Sequence, residues 1–226
     1  MEPTYGLAKA ILKPSLGIWF RWHIEGLANV PREGPVILAF NHIAYLDPLA
    51  AAYVVDKSGR RPRFLAKSEL FADKRIAWIL KGAKQIEVRR GTAAAPMALD
   101  HAIAALDAGE VVVIFPEGTI TTDAQLEPMA AKSGIARLAL ATGAPVIPCA
   151  LWGTANVWGK GYAKRWWPGQ DICVRIGDPM QLSGDMHDPA AWADVGATVM
   201  TEIGRLLASL RPVVPDRRRP SKKAAA

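Results

Sequence analysis

Asn41-His42, followed five residues after the histidine by Asp47, is the arrangement in this chain best suited to chemistry. An imidazole serves as a general base when a carboxylate accepts from one ring nitrogen, which fixes the tautomer and leaves the other nitrogen free. On a regular helix, residues five apart sit about 140° round the axis, so His42 and Asp47 meet only if the intervening residues turn irregularly. Asp47-Pro48 also has the form of a helix start, with the aspartate as N-cap and the proline at the first helical position. Capping and orienting are compatible roles for one carboxylate. His42 also has a plainer reading, as a satisfied polar group at the end of a strand.

Further chemistry-bearing residues are Lys67, the pair Arg89-Arg90, the run Glu117-Gly118-Thr119, and Lys132. Taken singly, Lys67 and Lys132 read equally well as solvated charges, and Arg89-Arg90 as a surface run. Glu117 follows an apolar stretch, where a carboxylate must find partners or face a cleft. Taken together, a base flanked by cations suits a phosphorylated substrate, because guanidinium and ammonium groups hold phosphate strongly.

The elements that must position these groups can be read from apolar runs and breakers. Residues 35–40 form a short apolar run behind Pro31 and Gly34, and 61–67, 85–89, 111–115, 145–151 and 171–177 read as further strands. Helices are expected from Pro48 onward, over 74–81 with a stop at Gly82, from a Thr92 cap to Gly109, over 132–142, and over 188–210. Residues 156–169, with Trp158, Trp166 and Trp167 among Lys160, Lys164 and Arg165, read as a loop. Strands alternating with helices predict one α/β domain, a mostly parallel mixed sheet flanked by helices. His42, Arg89-Arg90 and Glu117 all fall at strand ends, the edge where ligands bind in such folds.

A chain of 226 residues suffices for one substantial core and is short for two. The net charge of +7 is unevenly placed: residues 211–226 hold six cations against the single carboxylate Asp216. Pro212, Pro215 and Pro220 make this stretch read as a basic disordered tail. Cys149 and Cys173 form no CxxC pattern, which favours a reducing compartment, and the four histidines make no metal-ligand spacing. The N-terminus lacks the form of a secretory signal, and no long uninterrupted apolar window is present. Residues 5–22 mix apolar and aromatic side chains with Lys9, Lys13 and Arg21, and Pro14 is expected to divide them into two short pieces. Such a segment suits a membrane interface or, equally, packing on the protein's own core.

Asn41-His42-(four residues)-Asp47 resembles the HX4D motif of the glycerophospholipid acyltransferases, the family of 1-acylglycerol-3-phosphate acyltransferases. Ile86-Glu87-Val88-Arg89-Arg90 is similar to its second motif and Phe115-Pro116-Glu117-Gly118-Thr119 to its third. Val146-Ile147-Pro148 is similar to its fourth, and Lys132-Ser133-Gly134 sits where that family has a lysine and glycine. The resemblance spans residues 30–152, with the blocks in order. It departs after Thr119, where Ile120-Thr121 replaces an arginine and serine, and that arginine is taken to help bind the acceptor's phosphate.

The resemblance implies transfer of a fatty acyl group from acyl-CoA or acyl carrier protein to the hydroxyl of 1-acylglycerol-3-phosphate, giving phosphatidic acid. His42 and Asp47 would be catalytic. Asn41, Lys67, Arg89, Arg90, Glu117, Gly118, Thr119 and Lys132 would bind substrate. No cofactor or metal is implied, the acyl thioester being a co-substrate. The implied plan is a membrane-associating segment over 1–28, an acyltransferase domain over 29–210 and the basic tail over 211–226. The implied location is the cytoplasmic face of the cell membrane, peripheral or monotopic. The Ile120 departure leaves open another acceptor, glycerol 3-phosphate or a different lysophospholipid, and water attack on the thioester is a rival reaction. Nothing in the body resembles a nucleic-acid module, so nucleic acid is not an expected partner.

Overall fold

The structure, a computed structural model, describes residues 3–74, 77–88 and 95–220. Seven strands form its sheet: β1 (Phe20–Glu25), β2 (Val36–Phe40), β3 (Pro62–Lys67), β4 (Ile86–Val88), β5 (Val111–Ile114), β6 (Val146–Trp152) and β7 (Gln170–Ile176). Their order is β1-β7-β6-β2-β5-β3-β4, and every neighbouring pair is parallel except β6 with β7. This is the mixed, mostly parallel sheet that the alternating pattern predicts.

β2, β5 and β6 are buried along their whole length. Their continuous apolar runs are what a parallel sheet covered on both faces requires. One face carries Leu38, Phe40, Val113 and Ile147 in a cluster with Leu16 of α1 (Pro3–Trp19) and Val54 of α2 (Asp47–Lys57). The other carries Ile37, Ala39, Val112 and Val146 against α5 (Ala95–Asp107), α6 (Gly134–Thr142) and Ile203 of α8 (Pro189–Leu210). Short helices α3 (Ser68–Ala72), α4 (Ala77–Gly82) and α7 (Thr154–Trp158) fill connections.

Four expectations change. Pro14 does not divide the N-terminal segment: α1 runs through it, forfeiting one backbone bond. The helix is held on both sides of the proline, by Lys9 and Lys13 at 2.6 Å from the Asp56 carboxylate of α2 and by Leu16 in the core. Residues 20–25, expected within a membrane-associating segment, are an edge strand pairing with β7 from Phe20↔Gln170 to Glu25↔Arg175. Trp22 stacks on Tyr53 at 4.2 Å, which ties that strand to α2.

The tail expected to be disordered packs on the domain as far as Pro220. Val214 is buried, the Trp152 indole donates to its carbonyl at 2.7 Å, and Asn156 Nδ2 donates to the Pro215 carbonyl at 3.0 Å. Prolines bring no N–H that needs a partner, so a proline-rich segment can dock with few backbone donors left to satisfy. The loop expected over 156–169 begins inside α7, whose Ala155 and Val157 are buried. The Thr92 cap lies outside the described residues.

Candidate active site

The site is built where β2 and β5 end and the chain turns away. Beyond Phe40, the Asn41 side chain takes over the strand's pairing. Its Nδ2 donates to the Leu151 carbonyl at 3.0 Å, and its Oδ1 accepts from Leu151 N at 2.6 Å. A side-chain amide reproduces a backbone rung here, locking the end of β2 to β6. Asn41 is fully buried, and both ends of its amide belong to the sheet.

His42 is fixed at four points. Its N–H donates to Glu117 Oε1 at 2.8 Å, and its carbonyl accepts from Thr121 N at 2.8 Å. Its ring stacks on Phe115 at 4.4 Å, and Nδ1 lies 2.9 Å from Asp47 Oδ2. The same oxygen accepts from Ile43 N at 2.6 Å and Ala44 N at 2.7 Å. This is the irregular turn that the five-residue spacing demands, and the carboxylate itself closes it. Asp47 therefore folds back onto the preceding turn and makes no forward side-chain cap on α2, while Pro48 holds the expected early helical place.

Asp47 is fully buried at the start of α2, where the helix dipole favours a negative charge. Its Oδ1 is buried without a hydrogen-bond partner among the described residues. A carboxylate only accepts, so Nδ1 is the donor and Nε2 is left as the free ring nitrogen. The histidine side chain keeps 16% exposure, enough for one ring edge to meet a substrate.

Glu117 does not face a cleft. It is 1% exposed, and its second oxygen accepts from Met129 N at 3.0 Å. Burial pushes its carboxyl up from the ordinary carboxylate value, and the N–H groups of Met129 and His42 pull it back. It clamps the His42 backbone to the 119–131 loop. Gly118 takes a positive φ of 73°, which lets the chain reverse directly after Glu117. Thr119 is half-buried in that turn.

Lys67 stands exposed at the end of β3, and Lys132 is exposed beside the Pro116 carbonyl, which its backbone N–H meets at 2.9 Å. Both are on the carboxyl edge with His42. Arg89 and Arg90 lie outside the described residues. Ile120, where the resembling motif carries an arginine, is buried at 6% exposure. Sequence reasoning missed the Phe115 stack, the Thr121 contact and Tyr45, whose N–H donates to the Trp158 carbonyl at 3.0 Å and whose ring lies 5.5 Å from that indole. Only the aromatic types carried any signal, since the two N–H contacts depend on loop geometry. A cavity of about 530 Å³ opens at the opposite edge of the sheet, lined by Arg63, Lys81, Gln85 and His101, so volume alone does not locate this site.

The sequence model of the family described as Acyltransferase matches residues 21–152 of this chain. The chloroplastic 1-acyl-sn-glycerol-3-phosphate acyltransferase BAT2 of Brassica napus is 28% identical over 67% of the chain and 43% of its own length. The 1-acyl-sn-glycerol-3-phosphate acyltransferase of Bacillus subtilis is 28% identical over 72% of the chain and 75% of its own length. That of Borreliella burgdorferi is 31% identical over 68% of the chain and 60% of its own length. The match thus spans less than half of the Brassica relative. The crystal structure of PlsC, the 1-acyl-sn-glycerophosphate acyltransferase of Thermotoga maritima, superposes with a TM-score of 0.71 at 23% identity, covering 96% of this chain and 81% of that one.

Because folding raises the Glu117 pKa, the folded chain holds that proton more tightly than the unfolded one. The group's contribution to stability therefore falls as pH rises past the unfolded value. Glu117→Gln removes that slope but turns an amide NH₂ toward one of two N–H donors. The expected loss in thermal or denaturant unfolding at neutral pH is about 1–3 kcal/mol, with a flatter profile just above the carboxylate range. An unchanged melting temperature would show that the clamp carries no weight.

Proposed function

The chain belongs to the Acyltransferase family, and from that premise we propose that it moves a fatty acyl group from acyl-CoA or acyl carrier protein to the free hydroxyl of 1-acylglycerol-3-phosphate. The observation that carries this reading is the 2.9 Å contact between His42 Nδ1 and Asp47 Oδ2 on a backbone pinned from both sides. The acceptor hydroxyl gives its proton to His42 Nε2 as its oxygen attacks the thioester carbonyl. The tetrahedral intermediate then expels the carrier thiolate, which takes the proton back from the imidazolium. Asp47 orients the ring and stabilises its charged form. A positioned base of this kind contributes roughly 10²–10⁴ in rate.

Direct transfer, without an acyl-enzyme, agrees with the state of the two thiols. Cys149 and Cys173 are free, and burial is the main cause that pushes both up, Cys173 to about 11. Neither has the depressed pKa of an activated nucleophile. Burial of Ile120 leaves the acceptor's phosphate to other cations, with Lys67 and Lys132 at the same edge and Arg90 in the resembling motif. A different lysophospholipid or glycerol 3-phosphate is therefore the second reading, and Ile120 is the observation behind it.

The membrane surface is the partner proposed for the apolar side of the molecule, at the cytoplasmic face where water-soluble thioester carriers arrive. Among the described residues no helix is long and apolar enough to cross a membrane. α1 exposes Leu7, Ile11 and Ile18, the last at 84%, and Trp167 is 66% exposed. Gly169 N donates to the Trp19 carbonyl at 2.7 Å, which joins the two apolar regions beside the exposed Lys164. Tryptophan, aliphatic groups and lysines together suit the headgroup region of an anionic leaflet.

Purified protein given labelled palmitoyl-CoA and a panel of lysophosphatidic acid, glycerol 3-phosphate, lysophosphatidylinositol and water should transfer to lysophosphatidic acid. His42→Ala should lower turnover at least a hundredfold with little change in melting temperature. Acyl release to water without acceptor preference would overturn the transferase reading. In a separate assay, Ile11→Glu with Ile18→Glu should abolish sedimentation with vesicles containing phosphatidylglycerol. Undiminished sedimentation would remove α1 from the proposed membrane face.

A further inference from the structure

The turn that carries His42 is held from two directions by loops. The loop over 119–131 supplies Thr121 N to the His42 carbonyl and Met129 N to Glu117. The segment after β6 supplies the Trp158 carbonyl to Tyr45 N, at 3.0 Å, and a bridge between Ala44 and Gly159. These two loops are far apart in sequence, and the chain beyond α8 runs across both.

Its contacts with the first loop come from two arginines. Arg211 Nη2 donates to the Gln125 carbonyl at 3.0 Å and pairs with Glu127 at 2.8 Å, while Arg218 Nη2 donates to the Ala124 carbonyl at 2.9 Å. On the second loop, Arg217 N donates to Asn156 Oδ1 at 2.7 Å and Ala163 N donates to the Arg219 carbonyl at 2.9 Å. Arg218 joins the two. Its Nη1 donates to the Tyr162 hydroxyl at 2.8 Å, its guanidinium lies 4.6 Å over that ring, and Nε meets Asp216 Oδ1 at 2.9 Å. The Arg218 side chain is only 7% exposed although it lies in a run of three arginines.

We propose that Arg218 is a positioning residue for His42, bridging the Ala124 carbonyl and the Tyr162 hydroxyl so that the two loops gripping the catalytic turn keep a fixed separation. A planar guanidinium fork reaches a carbonyl, a hydroxyl and a carboxylate at once, and an ammonium cannot reproduce that spread. The 119–131 loop has a feature that needs such bracing: Leu126 is buried with a positive φ of 59°, a conformation a leucine adopts only under constraint. The proposal takes from the functional reading only that His42 is the reacting group.

The test compares full-length wild type, Arg218→Lys and Tyr162→Phe by amide hydrogen exchange and by acyl-transfer kinetics. In both variants the Thr121 and Tyr45 amides should exchange at least tenfold faster, while Val112 and Val113 in β5 keep their protection. Turnover should fall at least tenfold, with the acceptor KM within about twofold. Uniform loss of protection, β5 included, would reduce Arg218 to a general stabiliser and overturn the proposal. So would faster exchange at Thr121 and Tyr45 with unchanged turnover, or no change in either readout. If wild type transfers no acyl group, the functional reading fails separately, and exchange alone then decides whether Arg218 holds the turn.

Discussion

One carboxylate oxygen, Asp47 Oδ2, closes the turn on which the site depends. It accepts from the His42 ring and from the backbone N–H groups of Ile43 and Ala44, so a single atom sets both the path of the chain and the face of the imidazole. Removing such an acceptor strands several donors in a region where water cannot replace it, which costs far more than one ordinary hydrogen bond. The position of Asp47 at the start of α2 adds the helix dipole to the same arrangement.

A second buried carboxylate supports the first. Glu117 leaves β5 on a Gly118 turn and grips the His42 N–H, so the ends of β2 and β5 are joined through His42 itself. Asn41 fixes the end of β2 to β6 in the same way. Three adjacent parallel strand ends are thus linked by side chains, which restrains the open edge of the sheet. A general base gains from this rigidity, because a small misplacement of the reacting nitrogen lowers the rate by orders of magnitude. The loops and the C-terminal strap extend that rigidity outward.

Much of this was legible in the sequence, and the exceptions have physical causes. The apolar runs at 36–40, 111–114 and 146–152 announce a buried parallel sheet because such strands are apolar on both faces. His42 and Asp47 are readable because an irregular turn between a strand and a proline-led helix leaves few other ways to satisfy both. Glu117 could be singled out as needing partners, but its partners are backbone N–H groups on a distant loop, and no residue type records those. Asn41 reads as a ligand-binding polar residue, yet its amide substitutes for a missing ladder rung. The tail from Arg211 misleads for a related reason: its prolines and arginines have the composition of a disordered segment, while aromatic rings and loop carbonyls elsewhere in the chain give it a docking surface. Pro14 misleads because α1 is anchored on both sides of it, by Lys9 and Lys13 to Asp56 and by Leu16 in the core.

The central claim is that Asp47 holds His42 with the proton on Nδ1 and Nε2 free. The most direct measurement is nitrogen NMR of the wild-type chain with ¹⁵N-labelled histidine at neutral pH. The account predicts that His42 shows a protonated Nδ1 and an unprotonated, acceptor-type Nε2. A His42 ring carrying its proton on Nε2, with Nδ1 bare toward Asp47, would contradict it and remove the basis for His42 as the base.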